Sequence, residues 1–176
     1  MEAFTTYFSS KKKLKQFLDD NKIINTNSLM IQVFTPQADR QYIQELLNIV
    51  NELLPLAHLI GSTTDGQTNH GVLSKDKTVL SFTLFSHTKL TTYISNNFDD
   101  FYHAGENLAL ELIENNTKVI LSFIAGIYND DKKFLSGVKY IDEKVKVVAA
   151  TAGVKTIFIK SLVFTKDYIY TNAVVG

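Results

Sequence analysis

Apolar residues along the chain fall into helical stripes separated by short runs of strand length. Leu14, Phe17 and Leu18 lie at i, i+3 and i+4, so Ser10 to Asp20 reads as an amphipathic helix. Its lysines come first and its aspartates last, against the helix dipole, so it depends on packing. Ile43, Leu46, Leu47, Val50 and Leu54 form a second stripe, which predicts a helix over Arg40 to Leu54, capped by Asp39 and stopped by Pro55. A third helix opens at Asn97 or Asp99, runs to about Asn115 and turns Phe101, Leu108, Leu112 and Ile113 inward. A fourth, capped by Asp130 or Asp131, carries Phe134, Val138 and Ile141 on one face.

Between these helices, Ser28 to Thr35, Ala57 to Ser62 and Lys118 to Gly126 are short apolar runs suited to buried strands. "GVLSKDKTVLSFTLFS" reads as a hairpin turning at Ser74 to Lys77, with Leu80, Phe82 and Leu84 on one face of its second arm. "KLTTYI" extends the sheet, and "VKVVAATAG", "KTIFIKSLVF" and "DYIYTNAVV" give three more strands. The order strand, helix, strand, small-residue loop, hairpin spans Leu29 to Ser86 and recurs from Val119 to Val175. The offset of roughly ninety residues is too long for a solenoid. The expected fold is therefore α/β, with mixed β-sheet and packed helices, built from two pseudo-repeated βαβββ units whose small-residue loops converge on one pocket. The pattern leaves open whether they share one sheet or stack two.

The first of those loops carries the candidate chemistry. "HLIGSTTDGQTNHG" runs from a strand into Gly61, Ser62, Thr63, Thr64, Asp65, Gly66 and Gln67. Its G-x-x-x-x-G-Q-T spacing is close to a phosphate-binding loop, but Gln67 stands where the lysine is needed and no helix start follows. Tight nucleoside triphosphate binding is therefore not expected. Asp65-Gly66 is also a favoured hairpin pair, which makes a plain turn the competing reading. Three successive hydroxyls with nearby backbone N–H groups suit a carboxylate or phosphate, and Asp65 suits an ammonium.

Together, "LMIQVFTP", "LLPLAHLIGSTTDGQ", "GVLSKDKTVLSFTLF" and "KVVAATAG" resemble the N-terminal part of the FIST sensory domain, from about Leu14 to Gly176. The family pattern places a Gly-x-Thr-Thr-x-Gly-Glu loop after a helix ending in Leu-Pro. Here Gly61, Thr63, Thr64 and Gly66 follow Leu54-Pro55, and Gln67 replaces the usual Glu. The second loop, Ala149 to Gly153, is less glycine-rich than the family's, and Val154 follows it where an acid is usual. The resemblance implies a single intracellular, cytoplasmic sensory domain over residues 1–176 that binds a small ligand, proposed to be an amino acid. It implies a fused or partner signalling output domain, and no catalysis. The implied ligand residues are Gly61 to Gln67, with Thr151 from the second loop. Because the family domain continues into a C-terminal half, the chain is expected to be part of a longer protein. A sheet edge bared at its end would favour a homo-oligomer.

Composition narrows the alternatives. The net charge is zero and the one charge run is "KKKLK", Lys11 to Lys15, so nothing suggests nucleic acid. No apolar run reaches the roughly 18 residues of a membrane span, and no signal peptide is evident. Cysteine is absent, and the four histidines, His58, His70, His87 and His103, lack metal-ligand spacing, so neither metal nor cofactor is expected. Asp99-Asp100 and Asp130-Asp131 read as helix caps rather than a carboxylate pair. Two other classes remain open: an enzyme using Asp65 or His70 as general base, and an interaction module whose loop is only a turn.

Overall fold

A computed structural model describes residues 1–69, 71–96, 98–125, 130–153 and 161–176. Its strands form a six-stranded sheet, a four-stranded sheet and a small two-stranded ribbon. The larger sheet holds β1 (Glu2–Tyr7), β2 (Leu29–Thr35), β3 (His58–Thr63), β6 (Val79–Leu84), β10 (Val163–Thr165) and β11 (Ile169–Tyr170), in the order β1-β6-β2-β3-β10-β11. The smaller holds β7 (Ile94–Ser95), β8 (Val119–Ala125), β9 (Lys146–Thr151) and β12 (Ala173–Val175), in the order β7-β12-β8-β9. Helices α1 (Lys11–Asp20) and α2 (Arg40–Leu53) belong to the first part of the chain, α3 (Phe101–Leu112) and α4 (Asp131–Ile141) to the second.

Side-chain alternation along the strands sets the layering. On β2, Leu29, Ile31 and Val33 pack with Leu14 and Leu18 of α1 and with Ile43, Leu46, Leu47 and Val50 of α2. On β8, Ile120 and Ile124 pack with Leu108 and Leu112 of α3 and with Phe134 and Val138 of α4. The opposite faces meet each other: Ile60, Phe123, Ala125, Ala152, Val163, Ala173 and Val175 form one buried cluster that includes Phe34 at its margin. The Phe34 and Phe123 rings meet edge to face, with centroids 5.4 Å apart. The two sheets are therefore stacked, with helices on the outer face of each.

The sheets share a plan. β1 is antiparallel to β6, β6 to β2, and β2 is parallel to β3. β7 is antiparallel to β12, β12 to β8, and β8 is parallel to β9. Each parallel pair is joined through a helix, the connection that parallel strands require. This recurring set begins one strand and one helix earlier than the expected βαβββ unit, because Glu2–Tyr7, which carries no clear apolar alternation, pairs along the whole of β6.

Several local expectations change. Residues 72–84 do not fold as one hairpin. β5 (Val72–Ser74) pairs instead with β4 (Gln67–Asn69), while β6 enters the large sheet between β1 and β2. There Leu80 and Phe82 are fully buried, whereas Val72 and Leu73 stay exposed, so burial decides the pairing. The turn at Ser74 survives, with the Ser74 hydroxyl bonded to the Asp76 carboxylate at 2.8 Å. Asp65-Gly66 does not close a hairpin either: β3 and β4 are not partners, and Gly66 lacks the positive φ such a turn needs. The positive φ lies instead at Gly71, just before β5, with φ 78°. Asp100, rather than Asp99, caps α3, and Asp130 caps α4, each accepting from the main-chain N–H three residues on; Asn97 lies outside the described residues. α3 ends at Leu112 instead of Asn115. The closing run "DYIYTNAVV" divides into β11 and β12, which lie in different sheets. β12 is buried between β7 and β8, so no sheet edge is bared there. Residues 155–160 of "KTIFIKSLVF" lie outside the described residues.

Candidate ligand site

The parallel strands bring four strand ends to one place. The Thr64 N–H donates to the Thr35 carbonyl at the end of β2 (2.8 Å). The Ala152 N–H donates to Ile124 near the end of β8 (2.7 Å), and the Gly153 N–H donates to the Thr63 carbonyl (2.9 Å). The loops that leave β3 and β9 thus touch through main chain. A Cβ at Gly153 would lie 3.4 Å from the Asp65 nitrogen. Ligands of α/β sheets collect at such carboxyl ends of strands.

Each of the expected site residues has a distinct place. Gly61 lies under the Phe164 ring, where a Cβ would sit 2.1 Å from a ring carbon. Ser62 is buried on the face toward the other sheet, beside Ile60 in the alternation. Thr63 is fully buried on the helix face, and its hydroxyl oxygen accepts from the Leu162 N–H at 2.9 Å. These three residues shape and hold the strand end. Asp65 and Gly66 are exposed. Thr151 is also exposed, and its hydroxyl donates to the Asp131 carboxylate at the start of α4 (3.2 Å). It thus sits on the helix side of β9, and Gly153 makes that loop's contact with Thr64 and Asp65. His70 lies outside the described residues.

The loop then turns its polar groups inward. Thr64 Oγ1, both side-chain heteroatoms of Gln67 and Asn69 Oδ1 are buried and have no hydrogen-bond partner among the described residues. Gln67 is 4% exposed and Asn69 7%. They stand at i and i+2 on β4, hence on one face, and Thr68 between them faces solvent. More than nine in ten buried polar groups in proteins are paired, so this concentration within six residues is unusual. Asn69 carries no signal in the sequence beyond its alternation with Gln67.

Behind the loop lies a polar support that the sequence does not announce. The Thr35 and Thr78 hydroxyls are 2.8 Å apart, and the Tyr42 hydroxyl is 2.8 Å from that of Thr78. Thr35 Oγ1 also accepts from the Gln37 N–H (3.2 Å). The ends of β2 and β6 and the first turn of α2 are tied together beneath Thr64. Among the described residues no cluster of three or more metal-ligating side chains occurs, and no helix is long and apolar enough to cross a membrane.

Comparison with curated proteins and with solved structures gives no match. A family model described as FIST N domain matches residues 30–176, from β2 to the final glycine. The chain belongs to the FIST family, the sensory domains of signal-transduction proteins.

Proposed function

We propose that this domain senses a small zwitterionic metabolite, an amino acid, in the loop from Gly61 to Asn69, and reports its occupancy to a signalling output domain. The reading is non-catalytic and cytoplasmic. One observation carries it: the buried, unpartnered polar atoms of Thr64, Gln67 and Asn69. Each such group costs about 1–3 kcal/mol until a partner arrives. Their chemistry divides as a zwitterion's does. Gln67 Oε1 and Asn69 Oδ1 can only accept, which suits an ammonium, while Gln67 Nε2 and the Thr64 hydroxyl can donate to a carboxylate. Asp65, exposed on the same loop, supplies a full negative charge near the ammonium. The enzymatic alternative gains no support from Asp65, which has no side-chain partner to tune or orient it among the described residues.

The test is a thermal-shift and calorimetric screen over the amino acids, repeated on Asp65→Asn. A charge-assisted hydrogen bond is worth about 1.5–3 kcal/mol, and exposure puts Asp65 at the lower end, so affinity should fall about tenfold with stability unchanged. An unchanged dissociation constant in folded Asp65→Asn removes Asp65 from the site. Silence across the whole panel removes the amino-acid reading.

A further inference from the structure

At the opposite end of the stacked sheets lies a cavity of about 440 Å³. Met30, Ile60 and Leu121, from the inner faces of β2, β3 and β8, line it. At the loop end of the sandwich the same inter-sheet layer is closed by Phe34 on Phe123. Here Met30 and Leu121 are left only half-buried.

The connection from β6 to β7, residues 85–93, passes over this opening and is pinned along its length. The Phe85 N–H donates to the Ser28 carbonyl (3.0 Å), and the Tyr93 N–H donates to the Gly176 carbonyl (2.9 Å). Thr92 Oγ1 lies 2.8 Å from His58 Nδ1. Lys89 grips both carboxylate oxygens of Glu114, at 2.6 and 2.8 Å. That ion pair is exposed on both sides, so its release costs little and leaves a door.

The cavity wall and its rim differ in chemistry. The wall is largely aliphatic. The rim is rich in donors: the hydroxyls of Thr88 and Thr91, and the ammonium groups of Lys89 and Lys118 beside one acidic side chain, Glu114. Lys118 has no ion-pair partner of its own among the described residues. Small-molecule sites of about 300–1,000 Å³ usually combine an apolar pocket with a few polar groups that fix orientation. We propose that this cavity is a second ligand site, separate from the loop at the other end of the strands, and that it takes an apolar carboxylic acid. The hydrocarbon body lies between Met30, Ile60 and Leu121, and the carboxylate lies at the rim beside Lys89 and Lys118. His58 suits this arrangement. Its burial, reinforced by the Lys166 ammonium, holds the imidazole below its ordinary pKa, so it adds a neutral polar wall rather than a competing cation.

The chain contains two methionines, Met1 and Met30, so methyl-labelled methionine gives one reporter inside the cavity and one at the exposed terminus. Titration with octanoate should shift the Met30 methyl resonance and leave Met1 still. Octylammonium, with the same tail, should bind at least about tenfold more weakly, the worth of one charge-assisted contact. Lys118→Gln, an exposed change, should narrow that preference, and Leu121→Trp should abolish binding by filling the space. Gln67→Leu, which adds no methionine, should leave the octanoate response intact, which separates this site from the amino-acid reading. A Met30 resonance unmoved by octanoate at about 1 mM, or equal binding of the two head groups, overturns the proposal. Should Leu121→Trp fail to fold, the Met30 response and the head-group comparison still decide.

Discussion

β3 and β9 hold equivalent places, each parallel to the strand before it and joined to it through a helix, yet their ends are treated very differently. At the end of β3, Gly61, Ser62 and Thr63 are all buried. At the end of β9, Ala149, Ala150 and Thr151 are exposed. The cause is the neighbour on the outer side. β10 lies against β3, placing Phe164 across Gly61 and the Leu162 main chain on the Thr63 hydroxyl. β9 is the outermost strand of its sheet among the described residues, and its Thr151 hydroxyl turns to Asp131. Two similar runs of small residues and hydroxyls thus become a rigid, desolvated strand end in one half and a solvated edge in the other. Only the first can hold the next residues, Thr64 to Asn69, in a shape that buries their polar atoms.

Substitutions sharpen this contrast. The largest effect belongs to Gly61→Ala, whose methyl would press into a fully buried Phe164. Overpacking of this kind costs about 1–3 kcal/mol or more, and denaturant melts should show it. Next comes Thr63→Val, which keeps the shape but strands the Leu162 N–H, at about 1–3 kcal/mol. The matching change in the other half, Thr151→Val, touches an exposed hydroxyl and should stay within about 0.5 kcal/mol. If both threonine variants lose equal stability, the two strand ends are not different in the way described.

The strand starts differ as well. His58 opens β3 half-buried, while Lys146 opens β9 in solvent. The His58 pKa is lowered in the folded protein, so the unfolded chain binds the extra proton more readily. Its contribution is present above the ordinary value of 6.5 and is lost as pH falls through the lower folded value. Melting temperature should therefore drop as pH falls from 6.5 through the lower folded value, and His58→Gln should flatten part of the drop.

Much of this was legible in the sequence where burial and periodicity agree. Stripes such as Ile43, Leu46, Leu47 and Val50 give α2, and short, mainly apolar runs give β2 and β8. Gly61 to Gln67 stood out because hydroxyls, glycines and an acid at the end of a buried strand have a limited set of uses. Pairing was less legible. Nothing local tells Val79–Leu84 to leave Val72–Ser74 and join Glu2–Tyr7, because that choice is made by the burial of Leu80 and Phe82 under helices distant in sequence. The roles within the loop were hidden for a similar reason. Asp65 draws attention by its charge but lies in solvent, whereas neutral Gln67 and Asn69 are driven inside by the alternation of a three-residue strand.

That inversion makes Gln67 the place to test the account. Gln67→Met keeps the length of the side chain and removes both unpaired heteroatoms. If the loop is shaped for a polar ligand, ligand-free Gln67→Met should melt at a higher temperature than the parent, by the equivalent of about 1–2 kcal/mol, and should lose its response to amino acids. A variant that melts lower than the parent and still responds to amino acids would show that Gln67 serves the fold, and would contradict a ligand site in this loop.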